Sequence, residues 1–236
     1  MSSEAATALA GDAHGGLAEA RELSWRRPAT AETLRRDGRR WTFWTCGVIV
    51  TFALPSIALV ALQPLALPVA LLWFAHGWAI CRMQPGRGVR GVAAIGSERS
   101  AARGAEAGGR AERVALGLLG DLVGQREREL LQRTGLVLHC GRLGAWLVGE
   151  QGAIMVRSGG RRVDCWCVRV SEPEGLPAAD RVAHLLLALR EDELGFATVA
   201  NLNFSGAAWR ARLRMDKRER PALDSARTVA RQMTRA

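Results

Sequence analysis

The sequence predicts an α+β protein in which a two-helix transmembrane hairpin is followed by a small cytosolic domain with an antiparallel β-meander and packed helices. Two observations predict this class. The window 41–81 contains no Lys, Arg, Asp or Glu, although 24% of the chain is charged. After residue 110, apolar residues at helical spacing give way to short β-rich runs that are separated by turn residues.

The N-terminal residues 1–40 are predicted to form a disordered, basic segment. Residues 1–24 are mostly small or polar and rich in alanine, a composition that buries too little apolar surface to order the chain. Thr30 is the predicted N-cap of a short helix, since a Thr side chain accepts hydrogen bonds from the first helical turn. This helix is expected to carry Leu34 into the membrane interface.

The uncharged window is long enough for two membrane crossings, because one spanning helix needs about 20 apolar residues. Gln63-Pro64 is the predicted turn, since proline lacks an N–H group and disfavours helix at the preceding residue. Helices are therefore expected over 41–62 and 65–83, which together form the hairpin 41–83. A re-entrant wedge in one leaflet and a buried soluble hairpin remain open as alternatives.

Basic and aromatic residues flank the hairpin, and its turn carries no charge. Because cytoplasmic flanks are rich in Lys and Arg, both termini are predicted to be cytoplasmic, with the hairpin in the inner (plasma) membrane. Tryptophan is enriched where helices leave the bilayer. His76 is expected near the same level. The predicted membrane-interface residues are Arg35, Arg36, Arg39, Arg40, Trp41, Trp44, Trp73, Trp78 and Arg82.

Residues 84–109 are predicted to be a linker, since they are rich in Gly, Ala and Arg and lack a core-forming pattern. A cytosolic α+β domain is expected over 110–205. Its first helix is predicted to run from about 110 to 133. The helix is expected to end at Thr134-Gly135, because glycine is favoured just after a helix.

Short β-rich runs follow this helix and predict an antiparallel meander. A later helix opened by Asp180 and a further strand complete the domain, with the helices packed on one face of the sheet. The C-terminal segment 206–236 is predicted to be helical and interrupted at Pro221. The predicted strands are 136–141, 145–150, 153–157, 163–170 and 196–204.

The formal net charge of +10 is unevenly distributed. Residues 110–208 hold 12 basic and 12 acidic side chains, whereas residues 209–236 hold 9 basic and 3 acidic ones. A nucleic-acid groove would make the folded region itself basic, so nucleic acid is not an expected partner. Beside an anionic leaflet each basic residue contributes about 1 kcal/mol, so the lipid bilayer and anionic lipid are expected partners. The predicted contacts with anionic lipid are Arg210, Arg212, Arg214, Lys217, Arg218 and Arg220.

Cys165 and Cys167 lie on one face of a predicted strand, and with His139 and Cys140 they are the candidate ligands of a zinc ion. A zinc knuckle separates its cysteines by two residues on a tight turn, whereas here a single residue separates them within a strand. His139 and Cys140 also point to opposite faces. Cysteines buried in a core are the preferred interpretation, and neither a metal nor a cofactor is expected.

Asp164 on the same strand is the candidate acid of a metal-dependent nuclease core. Such a core needs a second acid and a lysine beside it, and the run "DCWC" contains neither. The acidic run 191–193 and the pair Asp180 and His184 are interpreted as surface or capping residues. No catalytic residue is therefore assigned, and enzymatic activity is not the favoured interpretation.

The favoured hypothesis is a two-pass membrane protein whose cytosolic domain has a regulatory, scaffolding or partner-binding role towards an unidentified protein. The alternative is a membrane-tethered nuclease-like enzyme, or a degenerate form of one, that acts on nucleic acid. A third class, a small pore built from the hairpin, would require oligomerisation, for which the sequence carries no specific signal.

Overall fold

The computed structural model describes residues 17–23, 25–96, 109–168 and 176–234. These residues form nine α-helices and a five-stranded antiparallel sheet, which confirms the α+β class. The helices are α1 (Ala18–Glu22), α2 (Ala31–Leu62), α3 (Leu67–Arg90), α4 (Gly109–Leu122), α5 (Gln125–Thr134), α6 (Ala178–Glu191), α7 (Glu193–Val199), α8 (Ala208–Arg212) and α9 (Arg220–Gln232). The strands are β1 (Val137–Cys140), β2 (Gly144–Gly149), β3 (Gly152–Arg157), β4 (Arg162–Cys167) and β5 (Asn201–Ala207).

The sheet is a meander with the strand order β1-β2-β3-β4-β5, as predicted, and each strand is antiparallel to the next. Tight turns set the register, and β2 and β3 are joined by the two residues Glu150-Gln151. Further along the sheet, Asp164 of β4 lies between Met155 of β3 and Ser205 of β5. The short β-rich runs thus became neighbouring strands in sequence order.

Both faces of the sheet are covered, because apolar residues occupy both sets of alternate positions along the strands. In β3, Ile154 and Val156 belong to one buried cluster, whereas Ala153 and Met155 belong to another. Helices α8 and α9 and the end of α3 cover the Ile154 side, which we call the first face. Helices α4, α6 and α7 cover the Met155 side, the second face. The expectation that helices pack on one face is therefore wrong.

The helix predicted over 110–133 is two helices, α4 and α5. Gly124 lies between them in an extended conformation (φ −71°, ψ 166°) and is the N-cap of α5. The predicted end at Thr134 is confirmed. Gly135 adopts a left-handed φ of 72°, and its N–H donates to the Leu131 carbonyl at 2.7 Å. Glycine adopts this conformation without steric cost, so it ends the helix.

The segment 196–204, which was predicted to be a strand, is divided between α7 and β5. Asp192 caps α7 by accepting a hydrogen bond from the Gly195 N–H at 2.8 Å. This cap stabilises a helical turn where the composition favours a strand. The helix therefore continues to Val199, and β5 begins at Asn201.

Helix α6 begins at Ala178, before the Asp180 that was expected to open it. The free N–H groups of Ala178 and Ala179 donate to the Glu112 carboxylate of α4 at 2.8 and 3.1 Å. A carboxylate at this position satisfies helix N-terminal donors and interacts favourably with the helix dipole. The capping residue is 66 positions away in the sequence, so no local pattern predicts this cap.

Helices α2 and α3 pack as antiparallel neighbours on either side of the predicted turn at Gln63-Pro64. Both are long and apolar enough to cross a membrane, by length and composition. Only 6% and 11% of their most apolar windows are buried in the protein. Close contact between the helices is possible because Gly77 lies against Phe52, where a Cβ atom would overlap the ring. Most of the apolar surface of the hairpin therefore faces outwards.

The ends of both helices that lie away from the Gln63-Pro64 turn belong to the sheet domain. Helix α3 continues to Arg90, and Val89, Val92 and Ala94 are buried against the first face, so the linker predicted over 84–109 does not hold for 84–96. Its glycines serve close packing: Gly88 lies against Phe204 of β5. Residues 97–108 lie outside the described residues.

The N-terminal segment is also more ordered than predicted. Thr30 is an N-cap, as expected, and forms a capping box with Thr33. The helix that it opens is not short, however, because α2 continues without a break through the hairpin to Leu62. Leu34, which was expected at the membrane interface, is instead buried in the cluster on the second face. Residues 18–22 form α1, whereas 1–16 and 24, also predicted to be disordered, lie outside the described residues.

Arginines of the sheet domain hold the two hairpin helices by hydrogen bonds to their backbone carbonyls, and we call these contacts the arginine clamps. Two clamps hold α2 and two hold α3. A carbonyl has two lone pairs, so it can accept a second hydrogen bond besides the one within the helix. The clamps join Arg157 to Leu34 at 2.9 Å, Arg162 to Gly38 at 3.0 Å, Arg210 to Cys81 at 2.6 Å and Arg214 to Arg82 at 3.0 Å.

Candidate functional site

A groove of about 780 Å³ runs between the N-terminal half of α2 and the junction of α7 with β5. We call it the basic groove. Its floor and far wall include Trp166 of β4 and Leu202 of β5. Its basic side chains are Arg27, Arg36, Arg39 and Arg40.

The helical spacing of α2 places these arginines on the groove. Leu34 and Gly38 are buried towards the sheet, four residues apart, and so mark the inward side of the helix. Arg36, Arg39 and Arg40 lie between and after them and line the cavity. The sequence therefore uses one side of α2 for packing and leaves another side to carry charge.

The opposite wall of the groove is fixed by a neighbouring arginine. Arg26 donates to the carbonyls of Thr198 and Val199 at 3.1 and 2.6 Å, and to the Asn201 side chain at 2.7 Å. Carbonyls at a helix C-terminus lack partners within the helix, and a guanidinium group satisfies several of them at once. Arg26 is thus structural, whereas its neighbour Arg27 lines the cavity.

The basic groove has an unbalanced charge. Within the part of the chain that the structure describes, its four arginines make no ion pair or hydrogen bond. Asp37 is the one acidic residue in the described lining. The indole N–H of Trp166 is buried and has no hydrogen-bond partner among the described residues. The lining therefore offers many donors and few acceptors, an arrangement that suits an anionic ligand.

A second cavity of about 540 Å³ extends the groove towards α3 and shares Asp37, Arg40 and Leu202 with it. Gln84 and Arg87 form its α3 side. The Gln84 side-chain N–H₂ group is buried without a hydrogen-bond partner among the described residues, whereas its oxygen accepts from Arg210 at 3.3 Å. The donor surface therefore continues to the place where the hairpin leaves the domain.

The tryptophans that were predicted at the membrane interface occupy different environments. Trp41 packs edge-on against Phe204, with ring centroids 6.1 Å apart, and so belongs to the domain core. Trp44 and Trp78 are half exposed at the base of the hairpin. Trp73 lies beside Phe52 at 5.2 Å, about halfway along the hairpin rather than at its base.

The basic residues of the same prediction also differ from one another. All four arginines before Trp41 are exposed, and Arg36, Arg39 and Arg40 line the basic groove. The Arg82 guanidinium carbon lies 4.7 Å from the centre of the Trp78 ring, a cation–π contact at the base of α3. Nearby, His76 is exposed, and its Nδ1 donates to the Leu72 carbonyl at 2.9 Å.

Three of the six basic tail residues that were predicted to touch lipid bond within the C-terminal segment or to the end of α5. Arg212 forms a bidentate pair with Asp224 at 3.0 and 2.9 Å, and this hydrogen bonding lowers the pKa of the Asp224 carboxyl. Arg218 donates to the Arg133 carbonyl at the end of α5 at 2.9 Å. Arg220 donates to the Met215 carbonyl at 3.4 Å.

Three residues of that prediction remain. Lys217 is exposed and makes no hydrogen bond or ion pair with another described residue. Arg210 and Arg214 are clamps on α3 and lie at the base of the hairpin.

The candidate zinc ligands lie on separate parts of the sheet. Cys165 and Cys167 face α3 on the first face, whereas His139 and Cys140 lie on β1, three strands away. Strand spacing puts about 14 Å between the two sites. No group of three or more His, Cys, Asp or Glu side chains is close enough to hold a metal in the described ranges. Burial raises the pKa of the Cys165 thiol, so it stays protonated at neutral pH.

Asp164, the candidate nuclease acid, is fully buried in an ion pair. Its two carboxylate oxygens accept from Nε and Nη2 of Arg157, the same guanidinium that clamps α2. The acidic run 191–193 is also engaged: Asp192 caps α7, and Glu193 accepts from the Leu143 N–H at 2.8 Å. Both sets of acids therefore have structural contacts.

Two features of the structure were not predicted from the sequence. One is the buried pair of Glu150 and Arg181, whose side chains meet at 2.8 Å while 0% and 7% exposed. The other is the basic groove itself, because its walls come from segments about 160 residues apart. A cluster of arginines before an apolar helix was visible, but it was assigned to the membrane flank alone.

The chain was also compared with known proteins. No family model, no curated protein and no solved structure matches it. The function is therefore argued from the groove and from the hairpin.

Proposed function

We propose that the chain is a two-pass protein of the inner membrane, with both termini cytoplasmic, whose α+β domain binds an acidic segment of a protein partner in the basic groove. The observation that carries the proposal is the set of four groove arginines, which lack an acidic partner among the described residues. Guanidinium groups bind carboxylates through paired hydrogen bonds, so these side chains match an acidic peptide.

Membrane insertion is supported by the outward apolar surface of the hairpin. Large side chains on both helices are exposed, including Phe43, Ile57, Leu65 and Phe74. A soluble protein seldom leaves so large an apolar patch uncovered. The arginines before Trp41 and after Cys81 lie on one side of the hairpin, which favours a cytoplasmic domain.

The spacing of the groove arginines favours an extended partner segment. Arg36 and Arg40 are four residues apart on α2, which corresponds to a rise of about 6 Å. Alternate side chains of an extended peptide are about 6.6 Å apart on one face. A segment with acidic residues at alternate positions would therefore place successive carboxylates opposite successive guanidinium groups.

The arginine clamps and the packing of both hairpin helices against the sheet fix the position of the basic groove relative to the hairpin. Because α2 runs without interruption from the groove into the hairpin, the groove begins at the bilayer surface beside Phe43. From Thr33 to Phe43 the helix rises about 15 Å. A partner bound there would be held close to the membrane, which is the role of a membrane-anchored scaffold.

A nuclease role has less support. Asp164 is buried, and both of its oxygens accept hydrogen bonds from Arg157, so neither magnesium nor a phosphate has access to its carboxylate. Binding is therefore the favoured role, and cleavage of nucleic acid is the outcome that would contradict it.

Binding is tested with the full chain in nanodiscs of neutral lipid and a fluorescent peptide of alternating Glu and Ala. The variant Arg36→Gln/Arg40→Gln removes two guanidinium groups from the groove. The control Arg113→Gln/Arg126→Gln makes the same charge change on exposed arginines outside the groove. We expect the groove variant to weaken binding at least about tenfold, or 1.4 kcal/mol, and the control to retain it. Equal weakening by both pairs would contradict a specific groove.

Insertion is tested by labelling with a membrane-impermeant maleimide in intact cells. The parent keeps Cys165, which is fully buried, and replaces the other cysteines. One variant adds Gln63→Cys in the hairpin turn, and its control restores the exposed Cys140 on β1. Two full crossings predict labelling at position 63 from outside and at Cys140 after permeabilisation. A wedge in one leaflet would leave both positions unlabelled until the cells are permeabilised.

A further inference from the structure

A second surface combines exposed apolar and basic side chains at the base of the hairpin. Trp209 of α8 and Leu213, one turn later, are 60% and 64% exposed. Trp78 of α3 is 55% exposed and lines the same cleft of about 300 Å³. We call this cavity the α3–α8 cleft.

Three arginines line the α3–α8 cleft together with these apolar groups. The Arg82 guanidinium stacks on Trp78 and makes no hydrogen bond to a described residue. The Nε of Arg214 donates a hydrogen bond to the Arg82 carbonyl. One terminal nitrogen of Arg210 donates to the Cys81 carbonyl and to the side-chain oxygen of Gln84. A guanidinium group has five N–H donors, so donors remain on all three. No acidic residue is present in the described lining.

We propose that the α3–α8 cleft binds an anionic phospholipid. Its phosphate contacts the guanidinium groups of Arg82 and Arg214, and its acyl chain lies against Trp78, Trp209 and Leu213. The proposal rests on the membrane insertion in the proposed function and is independent of the basic groove.

The mixture of side chains selects an amphiphile rather than a soluble anion. A phosphate ion would use the arginines but would leave three large apolar side chains exposed to water. A phospholipid uses both parts, because its headgroup is charged and its chains are apolar. Trp and Arg are also the side chains that favour the headgroup level of a bilayer.

The cleft is continuous with the apolar surface of the hairpin. Phe74 precedes Trp78 by one helical turn on α3 and is 52% exposed. An acyl chain that follows this helix out of the bilayer would pass Phe74 and Trp78 before reaching Trp209. The geometry therefore makes α8 a third contact with the membrane, beside the two hairpin helices.

The structure also shows which basic tail residues lie outside the α3–α8 cleft. Arg212 and Arg220 bond within the C-terminal segment, Arg218 bonds to the end of α5, and none of the three lines the cleft. Arg210 and Arg214 lie beside α3, and Arg82 completes the set. Lipid selectivity is therefore expected to depend on two helices 130 residues apart rather than on the total charge of the tail.

Tryptophan quenching by brominated lipids tests the proposal on the full chain in nanodiscs. The discs contain phosphatidylcholine and an equal mole fraction of either dibromo-phosphatidylglycerol or dibromo-phosphatidylcholine. We expect stronger quenching by the anionic lipid. Arg82→Gln/Arg214→Gln is expected to remove this excess, and Trp209→Phe is expected to reduce it, because Trp78 remains in the cleft. The controls Trp25→Phe and Arg113→Gln/Arg126→Gln change an exposed tryptophan and an equal charge elsewhere, and they are expected to retain it.

Each other outcome overturns a stated part of the proposal. Equal quenching by the two lipids, or an excess that survives loss of both arginines, would show that the cleft does not select anionic lipid. An excess that is abolished by added inorganic phosphate would identify a phosphate site instead. No quenching by either lipid would overturn membrane insertion, and the lipid proposal with it, because Trp44 and Trp73 would also be out of reach.

Discussion

Gly88 of α3 lies so close to Phe204 of β5 that a Cβ atom at position 88 would overlap the phenylalanine side chain. The same atom would lie 3.1 Å from Cβ of Cys165. Phe204 is fully buried and also contacts Trp41 of α2 edge-on. Both hairpin helices therefore meet a single side chain of the sheet, and the hairpin and the domain share one core.

This contact predicts that Gly88→Ala destabilises the protein by about 1–3 kcal/mol, the usual cost of overpacking a core. The matched control is Gly47→Ala on α2, where a Cβ atom would meet nothing within 4 Å. The control is expected to be neutral or stabilising by up to about 1 kcal/mol, because alanine favours a helix more than glycine does. Urea unfolding of the full chain in nanodiscs measures both. Equal midpoints for the two variants would contradict the shared core.

The buried pair of Glu150 and Arg181 predicts a larger effect. Glu150→Gln removes the carboxylate that Arg181 contacts at 2.8 Å, and it is expected to cost about 3–5 kcal/mol because it breaks a buried charge pair. Asp121→Asn removes one partner of an exposed pair with Arg128 and is expected to cost at most about 1 kcal/mol. Unfolding free energies of the two variants provide the comparison. Similar losses of unfolding free energy in the two variants would contradict a buried, structural role for the pair of Glu150 and Arg181.

His139 on β1 predicts how stability depends on pH. Burial lowers the pKa of its imidazole, and the nearby Arg190 lowers it further, whereas Glu193 opposes both. The unfolded chain therefore binds a proton more readily than the folded chain does. Stability from this group is present above a pH of about 6.5 and is lost as the pH falls towards the folded pKa.

The measurement is the pH dependence of the unfolding free energy in His139→Gln relative to the unmodified protein. The variant is expected to lose less stability between neutral and mildly acidic pH. His184→Gln, which changes an exposed histidine on α6, is the matched control. Identical pH dependence in His139→Gln and the unmodified protein would rule out the stated role.

Local signals predicted the parts of the fold that depend on neighbours in sequence. Pro64 removes a hydrogen-bond donor and so marks the hairpin turn, and Gly135 provides the left-handed residue that ends α5. The first four strands of the meander follow for the same reason, since short turns join each to the next, whereas β5 pairs with β4 across an insertion that contains α6 and α7. These signals act over a few residues, so the sequence displays them directly.

Long-range contacts explain what the sequence did not reveal. Gly88 belongs to a glycine-rich segment that indicates a linker, yet its lack of a side chain permits close packing against Phe204. The arginines before Trp41 fit a membrane flank equally well whether or not a groove lies beside them. Arg36 and Arg40 line a cavity only because β5 lies beside α2 in the folded protein.

Asp164 provides the prediction that separates the proposed function from its alternative. Its carboxylate is paired with Arg157, which also clamps Leu34 of α2, so Asp164→Asn is expected to cost about 3 kcal/mol and to loosen α2 from the sheet. The control Asp216→Asn changes an exposed acid near the tail and is expected to be within about 0.5 kcal/mol of the unmodified protein.

The two functions predict different nuclease activities for the unmodified protein and for these variants. If the ion pair is structural, Arg157→Gln destabilises the chain as Asp164→Asn does, and neither the variants nor the unmodified protein cleaves DNA or RNA with added magnesium. If Asp164 held a catalytic metal, the unmodified protein would cleave nucleic acid, and Asp164→Asn would abolish cleavage under conditions where the domain remains folded. Folding is followed by near-UV circular dichroism in the same samples, so a lost activity is distinguished from a lost fold.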